Sequence, residues 1–304
     1  MTAPGARRPF AVLVEPLDVG RLRLPPLGVV LLAALGGALL LIVAVNRWAT
    51  PSDEHAYWLA AQRLLDGQPL YDPTATPVTP YAYWYPPVVA QALAPAAALL
   101  PSVAFTAAWT VLMLGCLWYL GGRSPLGGLA LVVFLPVAVE FWFRNIHLPL
   151  AVLLVLAIRR WPVLFAVGAA IKIAPGLGIV YLAVRGRWRD AAIATAAGLA
   201  ILVLSVALAP DAWRQFVDIV TARGPSEAAG FLPVPYWSRA LVGLALTIVA
   251  ARLQPRFGEP LLVVAVTVAL PTLWFTALSL LVAAVPLMLQ PAKPAPDLIG
   301  GRLP

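Results

Sequence analysis

Between residues 27 and 45 the chain reads LGVVLLAALGGALLLIVAV, without one charged side chain. As a helix this run is about 28 Å long at 1.5 Å per residue, close to the ~30 Å hydrocarbon thickness of a bilayer. A helix is one of the few structures that can cross there, because it satisfies its backbone N–H and C=O groups internally. Composition points the same way: 62% of the 304 residues are hydrophobic, 11% are charged, and the mean hydropathy is +0.88. A water-soluble domain carries about a quarter charged residues, so lipid is the expected solvent. Arg7, Arg8, Arg21 and Arg23 precede the run among acids and prolines, and no small-residue cleavage site follows it, so a removable signal peptide is not expected.

Further apolar stretches cover residues 86–120, 126–143, 148–158, 161–184, 191–209, 240–251 and 261–289. Several are too short or too long for one span, and prolines interrupt two of them, so broken or re-entrant helices are expected. The fold class is therefore an all-α, polytopic integral membrane protein. Residues 1–26 read as a cytoplasmic tail, 27–289 as one membrane domain with a first outer loop at 46–85, and 290–304 as a C-terminal tail. The net charge of +8 comes from short basic clusters between apolar runs, a pattern of positive-inside topology rather than of nucleic-acid binding. Placing the N-terminal arginines, Arg159 with Arg160, the run Arg185 to Arg189, and Arg252 with Arg256 in the cytoplasm puts the 144–147 turn outside. It also requires the chain to reverse near Pro175 and Gly176, which carries Lys172 toward the outer side together with the loops at 211–235 and 271–274.

Within the first outer loop, PSDEHAYWLAAQRLLDGQPLYDP reads as a short interfacial helix. Ser52 is its expected cap, Asp53 and Glu54 fill its first turn, and Tyr57, Ala60, Ala61, Leu64 and Leu65 form its apolar face. Two carboxylates and His55 then face the space above the bilayer. Acidic residues also suit a helix N-terminus for dipole reasons alone. Tyr81, Tyr83, Trp84 and Tyr85 fit an aromatic belt at headgroup level, with a sugar platform as the other use of such faces.

Polar residues at membrane depth are the second signal. VEFWFRNIHLPL brings Glu140, Arg144, Asn145 and His147 together, and Lys172 stands in GAAIKIAPGLG. A charge near the bilayer centre costs about 2.5 to 3.5 kcal/mol on insertion scales, so Lys172 should face a cavity or pair with Glu140. Cys116 is the only cysteine, which excludes an internal disulfide. No H-E-x-x-H, G-x-x-x-x-G-K or G-x-S-x-G pattern is present, so neither a metal nor another cofactor is expected. What remains is a loop carboxylate above cationic and neutral donors, a set that suits general-base transfer from an anionic leaving group.

These residues resemble glycosyltransferase family 87, the polyprenyl-phosphate-mannose-dependent mannosyltransferases of the GT-C superfamily. The likeness rests on Asp53 four residues before Tyr57, then LLDGQPLYDP, YPP from Tyr85 to Pro87, RNIHLPLAVLLVLAIRR, IKIAPGLGIVYLAVRGRWR and LAPDAWRQF, in that order. It implies a GT-C-like helical bundle, a polyprenyl-phosphate sugar donor, a lipid or glycan acceptor, and an active site on the non-cytoplasmic face of the cell membrane. It also implies that Asp53 is the catalytic base, with Glu54 in reserve, and that His55, Tyr57, Arg144, Asn145, His147 and Lys172 serve substrate binding. Where related sequences often carry glycine, this one has Arg144. Two other classes compete: a lipid or solute transporter, and a non-catalytic membrane assembly subunit.

Overall fold

Apolar runs punctuated by Pro and Gly fold here into helices of very unequal length, and the short ones surround the polar residues. The computed structural model describes residues 15–19, 22–47, 52–76, 79–223 and 234–289. Arg7, Arg8, the tail 290–304 and residues 224–233 lie outside them. A two-stranded antiparallel ribbon, β1 (Leu17–Val19) with β2 (Leu22–Leu24), precedes the first helix. Among the described residues from Leu27 onward, every regular element is helical.

Among the described residues, three helices are long and apolar enough to cross a membrane: α1 (Leu27–Arg47), α4 (Ser102–Leu120) and α10 (Trp188–Leu208). The apolar stretch at 126–143 is not one straight helix. It forms α5 (Pro125–Leu131) and α6 (Leu135–Phe143), bent by 93°, with Pro136 in the first turn of α6, where a missing N–H costs nothing. Gly36 lets α1 lie directly on α5, since a Cβ there would sit 1.8 Å from the Leu129 carbonyl oxygen.

The loop helix α2 (Asp53–Leu65) does not float on the surface. It packs on α3 (Pro87–Leu99) and α4, fastened by Gln62 Nε2 to the Ala97 carbonyl at 2.7 Å and Trp58 Nε1 to the Leu100 carbonyl at 3.0 Å. Its buried face differs from the expected one: Glu54 joins Tyr57, Ala60 and Ala61 inside, while Leu65 is exposed. Ser52 makes no capping hydrogen bond, because its hydroxyl is turned to the Trp142 carbonyl, 3.3 Å away.

Between residues 161 and 184 the chain makes a tight hairpin of α8 (Leu164–Ile171) and α9 (Leu177–Val184), reversing through a 3-10 turn at Ala174–Gly176. Phe165 fills the space a Gly178 side chain would take, 2.0 Å from the would-be Cβ. Each arm is only eight residues, about 12 Å, and Lys172 caps the end of the first. The remaining elements are α7 (His147–Arg159), α11 (Pro210–Arg223), α12 (Tyr236–Arg252), α13 (Pro255–Val268), a 3-10 helix (Phe275–Ala283) and α14 (Ala284–Leu289).

This arrangement gives the molecule a basic end and a site end. Arg159 pairs with Glu259 at 3.0 Å and Arg185 Nη1 donates to the Leu253 carbonyl at 3.1 Å, so three of the four basic clusters meet at one end. From there α7, α8, α12 and α13 run to the opposite end, where the 144–147 turn, Lys172, Tyr236 and Pro271 gather.

Candidate active site

The site is built on a tight turn. Phe143 ends α6, Arg144 takes the left-handed conformation at φ +49°, and α7 starts at His147. That reversal aims the Asn145 side chain at the first turn of α2. Asn145 Nδ2 donates a short hydrogen bond to Asp53 Oδ2. Its Oδ1 accepts from the Ile146 N–H at 2.7 Å and from Tyr85 Oη at 3.0 Å, with Tyr57 Oη at 3.2 Å. Three donors around Oδ1 fix the amide's orientation, so the NH2 must face the carboxylate. Tyr57 and Tyr85 are themselves 3.1 Å apart. Burial, first of all, holds both phenols above the usual tyrosine range and keeps them neutral.

Asp53, Asn145, Tyr57, Tyr85 and Lys172 line one cavity of about 1520 Å³. Most of its other wall is apolar, with Leu199 and Leu202 from α10 and Trp213, Phe216 and Ile219 from α11. The Gln215 side chain accepts from the Leu70 N–H at 2.9 Å and so ties α11 to the outer loop. Burial raises the Asp53 carboxyl to about 7, with Glu140 and Glu54 adding to the rise and Asn145 and Lys172 opposing it. A carboxyl poised there is ionised in part at neutral pH and can take up a proton.

The other predicted residues fall into two places. Glu54 and Arg144 do not line the cavity. They form an ion pair at 3.1 Å, with side chains 0% and 4% exposed, and Thr106 Oγ1 donates to the same Glu54 oxygen at 3.1 Å. Burial raises the Glu54 carboxyl, Arg144 opposing. His147 is also outside the lining, 1% exposed, with Nδ1 3.1 Å from Glu140 Oε2 and Nε2 3.0 Å from Lys172 Nζ. Glu140 and Lys172 are thus bridged through an imidazole instead of touching. His55 stands apart, ring against Trp58 and Tyr81, its pKa lowered by burial.

The aromatic run divides between two surroundings. Tyr83 is buried, donating to the Pro86 carbonyl and accepting from the Ala90 N–H, whereas Tyr81, Trp84 and Tyr85 face the cavity. Sequence reasoning overlooked Arg239. Its buried guanidinium reaches the carbonyls of Val234 at 3.2 Å and Pro271 at 2.8 Å and fixes the Pro271–Thr276 part of the cavity wall. An arginine in an apolar helix with no acid nearby in sequence was the available signal. Among the described residues no three His, Cys, Asp or Glu side chains converge as a metal set.

Fold and site together define a helical membrane protein with a carboxylate and an ammonium in the wall of a largely apolar cavity. The chain belongs to glycosyltransferase family 87, whose family model matches residues 83–291, more than half of its length. It is accordingly a glycosyltransferase, with a sugar donor and an acceptor as its substrates. The matched range contains Asn145 and Lys172, while Asp53 precedes it. No curated protein and no solved structure matches the chain.

Proposed function

We propose that this glycosyltransferase, in a GT-C architecture, moves a sugar from a polyprenyl-phosphate donor to an acceptor hydroxyl on the non-cytoplasmic face of the cell membrane. Mannose is the sugar that the family likeness favours. The observation that carries the reading is the shared cavity: Asp53 and Lys172 stand in a wall whose remainder is mostly apolar, so a charged headgroup and an isoprenoid chain both have matching surfaces.

In this reading the ionised Asp53 accepts the proton of the acceptor hydroxyl as its oxygen attacks the anomeric carbon. The bond from that carbon to the phosphate oxygen breaks with its electron pair on oxygen, and the departing polyprenyl phosphate is met by the Lys172 ammonium. A single displacement inverts the anomeric configuration. Asn145, with Tyr57 and Tyr85 behind it, holds Asp53 in place. Glu54 and Arg144 support the loop helix and leave the reserve-base role empty. The basic end faces the cytoplasm, in keeping with the positive-inside pattern.

The test is release of polyprenyl phosphate from a labelled polyprenyl-phosphate mannose by purified protein, with the anomeric configuration of the product determined. Release and inversion are expected. Donor that stays intact across a panel of acceptors would move the chain to the assembly-subunit or transporter reading.

A further inference from the structure

Lys172 has three N–H donors on a flexible stem, and only some of them are spent inside the protein. One reaches His147 Nε2 at 3.0 Å, and the ammonium stands 5.2 Å from the centre of the Tyr85 ring. Behind the imidazole, Glu140 Oε2 lies 3.1 Å from Nδ1, and Glu140 Oε1 accepts the His147 backbone N–H at 2.7 Å. The carboxylate is therefore pinned by the first turn of α7, where a helix N-terminus favours an anion. An oxygen acceptor at Nδ1 places the ring proton there and leaves Nε2 a lone pair, which is the partner an ammonium needs.

We propose that His147, oriented by Glu140, is a positioning residue that holds the Lys172 ammonium in the cavity wall through a neutral contact and so leaves its charge available to an anion. A direct Glu140–Lys172 pair would hold the lysine equally well but would cancel most of its charge at contact. The imidazole separates the two while keeping the lysine's rotamer fixed, and binding an anion then costs less side-chain ordering. This rests on the reading of Lys172 as the donor's phosphate partner.

The experiment compares binding of a polyprenyl phosphate and of the matching polyprenol, which lacks the phosphate, to purified full-length protein in detergent. Wild type is expected to prefer the phosphate by on the order of tenfold to a hundredfold, the worth of a hydrogen bond to a charged group. Lys172→Met and His147→Leu should both lose most of that preference, and the double variant should lose no more than Lys172→Met alone. His147→Gln, whose amide oxygen can take the place of Nε2, should retain it, whereas His147→Asn, which reaches only the place of Nδ1, should not. A wild-type preference that survives in His147→Leu overturns the inference. Should that variant not fold, equal preference in the Gln and Asn variants overturns it instead. A wild type that binds both lipids alike sinks the donor reading itself, a separate and recognisable failure.

Discussion

Arg144 and Glu54 meet at 3.1 Å with almost no solvent access to either, across two segments ninety positions apart. The backbone of Arg144 sits at φ +49°, a conformation that costs a side-chain-bearing residue about 1–2 kcal/mol. The pair therefore joins the loop helix to the 144–147 turn in spite of local strain, one residue away from the Asn145–Asp53 hydrogen bond on each side.

Arg144→Gly tests that balance. Glycine relieves the strain but leaves Glu54 as an uncompensated buried charge, a loss of about 3–5 kcal/mol when one partner of a buried pair is removed. A net loss of about 1–4 kcal/mol is expected in thermal denaturation of the purified protein. Adding Glu54→Gln should recover most of it, with the coupling between the two sites exceeding about 1 kcal/mol. Additive effects would mean that the two side chains do not hold the segments together.

Arg239 makes a second structural prediction. Its guanidinium serves the carbonyls of Val234, Leu270 and Pro271, and each buried acceptor left without a partner costs about 1–3 kcal/mol. Arg239→Met should destabilise the protein by on the order of 3 kcal/mol, and Arg239→Lys by less, since one ammonium cannot span the same set. Activity should fall in parallel with loss of the Pro271–Thr276 wall, read as a rise in donor KM. Unchanged melting in Arg239→Met would remove this role.

Orientation is tested by cysteine labelling in whole cells. Cysteines at Arg187 and Gln254, on the basic end, should be protected from an impermeant reagent, while one at Gln68, exposed in the loop after α2, should react. Ala75 lies in the same loop but is only 7% exposed, which makes it a poor reporter. Labelling at Arg187 from outside would reverse the proposed orientation.

How much of this was legible in the sequence depended on whether a signal was local. The span at 27–45, the helix beginning at Asp53 and the reversal at Pro175 and Gly176 follow from apolar length, first-turn acids and breaker residues, each contained in a short window. Asn145 and Lys172 could be nominated because polar residues inside apolar runs are costly, and Asp53 because the family resemblance implies a base in the first outer loop. Their partners could not. Which of two adjacent carboxylates faces the cavity depends on whether the loop helix packs with Glu54 toward Thr106 and Arg144, a matter of tertiary rotation that helical spacing leaves open. The imidazole between Glu140 and Lys172 likewise joins two helices, so neither segment discloses it. The 93° bend between α5 and α6 was hidden for another reason: the residues around it are apolar on both sides, and hydropathy is blind to direction.

The decisive prediction concerns Asp53 and pH. Its carboxyl, raised to about 7 by burial and by the neighbouring acids, must be ionised to accept a proton, so kcat/KM should rise with pH through an apparent pKa near 7. Asp53→Asn should abolish that limb and lower transfer by about a hundredfold to ten-thousandfold, with donor binding retained. Stability moves the other way. Because the folded state binds this proton more tightly than the unfolded chain does, the contribution of Asp53 to stability is fully present below about pH 4 and declines as pH rises from about 4 toward 7. Asp53→Asn carries no such proton, so it should gain on wild type in melting temperature as pH increases over that range. Loss of transfer with this pH-dependent gain in stability fits a poised base and not a structural carboxylate. Near-wild-type transfer by Asp53→Asn, or a difference in melting temperature that does not change with pH, would remove Asp53 from the role.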